Sequence, residues 1–147
     1  MRSVSWLASL LLCAGMVAFA ADAPPIAIID STTPTEELPV KPGVYVGQTI
    51  TFDDAHEGET VVRAGVWEAD VSKTRLIDYP FTECVLMISG RLVITNEDGS
   101  SNEFVAGDTF VMPRGWTGIW DIRERMKEQM VQVGDPTAKP KGEPVTD

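Results

Sequence analysis

Turn signals fall so densely along the middle of this chain that no segment sustains a helical period. The runs VYVGQTITF, TVVRAGVWEA, TRLIDY, CVLMIS, RLVITN, NEFVA, TFVMP, WTGIWDI and RMKEQMVQV follow one another. DDAHEGE, SG, NEDGSS, AGD and PRG separate them. Asp98-Gly99 is a hairpin signal between two of the runs. IRERMKEQMVQV is the ambiguous stretch, but Met126, Gln129, Val131 and Val133 are compatible with a strand. Many short strands at close spacing predict an all-β fold, an antiparallel sandwich or barrel, as one domain over residues 44–134.

The flanks differ in character. Residues 1–20 carry Arg2, an apolar stretch from Trp6 to Phe19, and small residues at Ala18 and Ala20. That pattern is a secretory signal, too short and wrongly flanked for a spanning helix. Leu12 stands before Cys13, where a lipoprotein signal wants a small residue, so anchoring through Cys13 is not expected. The expected location is periplasmic or secreted, without a membrane once the signal is cleaved near Ala20. Residues 21–43 hold five prolines and are expected to form an arm. Within it, residues 26–29 (IAII) could add as an edge strand. Thr33, Pro34 and Glu36 form a capping box for one short helical turn. Residues 135–147 are expected to be a flexible tail. With Cys13 removed, Cys84 has no partner for an internal disulfide, and its apolar run predicts a small buried hydrophobe. The net charge is −10 with no Lys/Arg cluster, which leaves no footprint for nucleic acid or anionic lipid.

Two blocks narrow the fold. Glu83 is followed after six residues by Gly90, and Gly107 after five residues by Pro113-Arg114-Gly115. The glycines permit backbone that other residues resist, and Pro113 stiffens the exit, so two strands are pinned at fixed separation. This spacing resembles the two motifs of the cupin superfamily, a small RmlC-like jelly-roll barrel. It is most similar to the subgroup that includes ureidoglycine aminohydrolase-type domains. GVWEA, YPFTE, ISGRLVITNEDG, FVAGDTFVMPRGWTGIWDI, Glu124 and Lys127 carry the likeness, over residues 65–133.

The resemblance implies a metal held by two histidines ahead of the first-motif glutamate and one in the second motif. Residues 76–82 (LIDYPFT) contain no histidine, and the second-motif position is Gly118. The one histidine, His56, lies in the polar loop DDAHEGE, where it is expected to be solvated. One imidazole cannot build a three-imidazole site, so no metal and no cofactor are expected. An all-oxygen cation site stays open only if Asp78, Glu68 or Asp121 converges on Glu83.

Strand alternation puts Glu83 on one face with Tyr79, Phe81, Val85 and Met87. On a lumen face its carboxyl would be pushed up by desolvation and could donate or accept a proton. The competing reading pairs Glu83 with Arg75 or Arg63. Trp116, Gly118 and Trp120 would also share a face, leaving a gap between two indoles where a metal relative has an imidazole. Core filling by those tryptophans is the competing reading. Trp67 is expected in the core and Glu68 on the surface.

Three functions follow. The first is a small polar molecule bound in the barrel, with Glu83, Tyr79 and Arg75 as polar contacts and Trp116 and Trp120 as stacking walls. The second is a hydrolase, isomerase or epimerase on a small nitrogen compound or sugar, with Glu83 as acid/base and Tyr79 as its partner. The third is a non-catalytic homodimeric assembly module, joined through sheet faces or an exchanged N-terminal strand. Metal-dependent aminohydrolase activity is not carried over, because its ligands are missing.

Overall fold

A computed structural model of the chain describes residues 26–39, 44–54, 60–135 and 137–146. The signal-like segment, the start of the arm and His56 lie outside the described residues. Among the described residues there are nine strands and no helix.

Two long strands organise the fold. β5 (Phe81–Asn96) and β8 (Gly118–Gly134) run antiparallel along nearly their whole lengths, from Phe81↔Gly134 to Asn96↔Gly118. The register shifts between Met87 and Leu92, so the ribbon bends at its middle. Gly90 sits at that bend with φ 85°, and a Cβ there would lie 2.4 Å from the Arg125 carbonyl oxygen. Only glycine satisfies both demands. The SG pair therefore bends one strand and does not end it. CVLMIS and RLVITN are one element, as are WTGIWDI and RMKEQMVQV.

The bend divides the sheet into two leaves. In the first, β7 (Thr109–Met112) pairs with the first half of β5, and β3 (Val61–Ala69) pairs with Met126–Gly134 of β8. β2 (Val46–Asp54) and β1 (Glu36–Glu37) extend this leaf beyond β3. In the second, β6 (Ser101–Val105) pairs with the second half of β5, and β4 (Ser72–Ile77) pairs with Gly118–Ile122. β9 (Lys141–Pro144) extends this leaf beyond β4. The leaves curl face to face and share one core. Tyr79, Phe81, Val85, Met87, Met112 and Met126 from the first pack with Leu92, Ile94, Trp120 and Ile122 from the second. Each such side chain fully buried contributes about 1.5–3 kcal/mol. This is the expected cupin jelly roll. Among the described residues β6 and β7 each pair with β5 alone, so no strand pairing closes the roll between them. The Phe104 and Phe110 rings, centroids 4.3 Å apart, bridge that slit.

Four local expectations are corrected. Glu36, expected in a helical turn, lies in β1 opposite Gln48. Tyr45 explains it: its hydroxyl donates to the Thr35 carbonyl, while the Thr35 hydroxyl donates to Glu68, holding the segment extended. Residues 26–29 form no strand, although the Gln129 side chain donates to the Ile29 carbonyl. The segment expected to be a flexible tail supplies β9, whose Gly142 lies opposite Leu76. Cys84 is exposed, because alternation that buries Glu83 and Val85 turns it outward.

Candidate functional site

β5 alternates buried and exposed from Phe81 to Met87, and this turns Glu83 into the roll. Two loops set the phenol beside it. The Tyr79 amide donates to the Trp116 carbonyl, and the Gly115 amide donates to the Tyr79 carbonyl, at 2.9 and 2.8 Å. Asp78 takes a positive φ of 49° to enter this clasp, its amide donating to the Thr117 hydroxyl. Tyr79 is thereby held inside, and its hydroxyl donates to Glu83 Oε2 at 2.6 Å. From β8, Gln132 Nε2 donates to Glu83 Oε1 at 2.9 Å. Both Glu83 oxygens are satisfied by neutral donors. The competing pairing with arginine does not occur: Arg63 binds Asp53 and Arg75 binds Glu97.

A second carboxyl lies on the same inner face. Glu128 stands opposite Met87 on β5 and Trp67 on β3, and like Glu83 it is only 3% exposed. Its Oε2 is buried and has no hydrogen-bond partner. Burial pushes the Glu128 carboxyl well above the ordinary glutamate range, and the nearby Glu83 charge adds to this. Burial also raises Glu83, with the Tyr79 and Gln132 hydrogen bonds working against it. The Tyr79 phenol is raised mainly by burial and further by Glu83, so Tyr79 remains a donor. Met87, Met126 and Met130 surround this acidic wall with buried, unbranched side chains.

Neither Glu128 nor Gln132 was singled out in the sequence. Both sit in the stretch whose period was ambiguous, and a glutamate between a lysine and a glutamine looks like a solvent-facing residue. Counting inward from Met126 at period two reaches Glu128, Met130 and Gln132, which is the one signal that could have found them.

The expected indole walls part company. Trp120 is a core residue, 6.5 Å edge-on to Trp67 and 6.1 Å from Phe110. Trp116 precedes β8 and occupies the space above Gly118: a Cβ on Gly118 would lie 2.3 Å from its ring. The gap expected at Gly118 is thus filled by Trp116. Its Nε1 donates to Asn96 Oδ1 at 2.9 Å, which fixes the ring. Trp116, Phe104, Phe110, Asn96, Asn102 and Met112 line a groove of about 260 Å³ along the slit between β6 and β7. Met112, which lines the groove, stands beside Glu83 on the neighbouring strand. Arg75 is elsewhere, lining a surface hollow with Glu97, Gly118 and Ile119.

The cupin metal does not fit these residues. Trp116 covers the second-motif position, and Tyr79 and Gln132 already occupy both Glu83 oxygens. The other oxygen candidates diverge. Glu68 binds Arg125, Asp121 binds Arg123, and Asp78 lies by the Gly115 turn. Among the described residues no group of three or more His, Cys, Asp or Glu side chains could hold a metal ion.

The curled leaves, the bent motif strands and the carboxyl-bearing interior define a cupin. The chain belongs to the EutQ-like cupin domain family, whose model matches residues 56–129, half of the chain. No curated protein matches it. Among solved structures, it is similar to a protein of unknown function from Pseudomonas syringae pv. tomato, with TM-score 0.62 and 21% identity. That match covers 71% of this chain and 46% of the other, so this chain spans about half the length of the Pseudomonas protein. The Clostridium difficile EutQ protein matches with TM-score 0.56 and 16% identity, over 69% of this chain and 81% of its own. Ectoine synthase from P. lautus matches with TM-score 0.50 and 15% identity, over 69% and 80%. At these identities the likeness carries the fold alone.

Proposed function

We propose that this chain is an exported, metal-free cupin that binds a small polar molecule through the open side of its roll, with an N–H-bearing end directed at the interior carboxyls. The observation that carries this reading is Glu128 Oε2, a buried acceptor left without a donor. Such an atom costs about 1–3 kcal/mol unless a ligand, water or proton supplies the missing hydrogen bond. Glu83 lies nearby, and no described arginine or lysine side chain is bonded to either carboxyl. An amine would satisfy this site better than a sugar hydroxyl, because a charged N–H donor makes the stronger hydrogen bond to a carboxylate, and a ureide offers two parallel neutral N–H donors. The groove at Trp116 supplies an uncharged aromatic wall and the exposed carboxamide of Asn102 at the approach. Flexible Met112 is the residue that must yield for a ligand to pass inward.

Ureidoglycine aminohydrolase chemistry is not part of this proposal, since that activity rests on a metal whose ligands this chain lacks. The acid/base enzyme reading keeps one observation in its favour. The 2.6 Å Tyr79–Glu83 hydrogen bond gives Glu83 a fixed orientation, and burial pushes its carboxyl toward a working range. In that case a bound N–H compound would be turned over.

A thermal-shift panel of amines, ureides and sugars tests the proposal, because a ligand specific for the folded state raises the melting temperature. Amines or ureides should give the shift, and Glu128→Gln should abolish it. A shift from sugars alone, or one that survives in Glu128→Gln, would overturn the assignment. Product analysis of the shifting compounds separates binding from turnover. N-terminal sequencing of protein recovered from the cell envelope and medium tests export.

A further inference from the structure

Three aromatic rings line the groove along the slit between β6 and β7. Phe104 and Phe110 stand with centroids 4.3 Å apart and planes 32° from parallel, and Trp116 lines the same space. All three are half-buried, whereas the core ring of Trp120 is buried, so each keeps surface to offer a ligand. The Trp116 wall is fixed in advance. Its Nε1 donates to Asn96 Oδ1, Asn96 Nδ2 donates to the Ser100 hydroxyl, and the Trp116 carbonyl accepts the Tyr79 amide. A wall already held in place has little freedom left to lose on binding.

The lining says what the groove can hold. None of its nine residues is charged, in a chain with 22 acidic and 12 basic residues. The two polar ones are carboxamides, and that of Asn96 is already engaged on both sides by Trp116 and Ser100. A wholly polar molecule would find few partners here, while a ring would find three. The volume of about 260 Å³ lies just under the usual span of ligand pockets, about 300–1,000 Å³, which suits one ring and no fused system. The most buried lining residue is Met112, 4% exposed, and it pairs with Glu83 across β7 and β5. Paired residues on neighbouring strands share a face, so the inner end of the groove lies beside the Glu83 side chain. Aromatic slot and carboxyl thus follow one another along a single path inward.

We propose that the ligand is an arylalkylamine: one flat ring, seated in this groove, on a short saturated link to a primary amine that reaches the interior carboxyls. This rests on the amine-binding reading above and narrows it to a chemical class. The ring has to be flat because the groove presents ring faces and edges, and stacked or edge-on aromatic contacts add to what area burial alone provides. A saturated ring of the same size would bury similar area without them. Trp116, Phe104 and Phe110 are then the residues that set specificity, and the carboxyls supply the charge.

Isothermal titration calorimetry of the protein with benzylamine, cyclohexylmethylamine and methylamine tests this. Benzylamine should bind about tenfold or more tighter than methylamine, from burial of its ring. It should bind several-fold tighter than cyclohexylmethylamine, from ring-on-ring contact. Trp116→Ala should shrink both ratios toward one. If that variant fails to fold, the two wild-type ratios carry the test alone. Benzylamine no tighter than methylamine, cyclohexylmethylamine as tight as benzylamine, or a benzylamine preference that survives Trp116→Ala would overturn this inference while amine binding itself stood. Binding by none of the three amines would remove this inference and the amine reading together.

Discussion

Replacing Glu128 by glutamine is the perturbation whose consequence follows most directly from the structure. The side chain keeps its shape and loses its acidity. Its buried Oε2 has no partner, so no hydrogen bond made by that atom is lost. Burial raises the carboxyl well above the ordinary glutamate range, so the folded chain holds a proton that the unfolded chain releases. A group raised in this way stabilises fully below its unfolded pKa, and that stability is lost as pH rises toward the folded pKa. Within that window the loss is about 1.4 kcal/mol per pH unit. Urea unfolding followed by tryptophan fluorescence at pH 5, 6 and 7 measures it. The wild-type stability should fall with pH more steeply than that of Glu128→Gln, by at most about 1.4 kcal/mol per unit while the folded carboxyl keeps its proton. Repulsion within a chain of net charge −10 also weakens it as pH rises, but that contribution is common to both proteins and cancels in the difference. Parallel lines for the two proteins would refute the reasoning, because they would mean that Glu128 ionises in the folded state as easily as in the unfolded.

Three further outcomes are expected. Gly90→Ala should be among the most damaging single changes, because it adds the contact with the Arg125 backbone to the cost of a positive φ. Gly99→Ala and Gly107→Ala have open space and should lose only about 1–2 kcal/mol, so chemical denaturation should separate the first from the other two. Tyr79→Phe strips a donor from buried Glu83 and should cost about 1–3 kcal/mol. Gln132 remains as the single donor to Glu83, so the same variant should show Glu83 titrating at higher pH by carboxyl-resolved NMR. Gly118→Ala forces a Cβ against the Trp116 ring and the Thr95 carbonyl; the displaced indole should red-shift the fluorescence.

The sequence made the core strands legible wherever one face was buried and the other wet. The alternation from Phe81 to Met87 put Glu83 and Tyr79 on the inner face, and the Asp98-Gly99 turn fell where expected, closed by the Asn96 amide donating to the Ser100 carbonyl. Cys84 is the exception within that run: its apolar neighbours suggested burial, but the outer face is itself apolar. Gly90 was misjudged because a glycine that bends a strand and one that ends it carry the same letter. β1 was hidden because Thr33, Pro34 and Glu36 satisfy the local chemistry of a helix start, while the contacts that keep the segment extended come from Tyr45 and Glu68. β9 has no pattern of its own and exists through pairing with β4. The acidic wall was half legible. Glu83 announced itself by its motif, whereas Glu128 was masked by polar neighbours, Lys127 and Gln129, that face outward.

The central claim is that an organic N–H donor, and no metal, complements the two interior carboxyls. A high-resolution crystal structure of the purified protein, with anomalous scattering recorded, tests it most directly. The expected result is an organic ligand with an N–H donor within hydrogen-bond reach of Glu128 Oε2, and no anomalous peak on Glu83. A fully occupied transition-metal peak coordinated by Glu83 would contradict it.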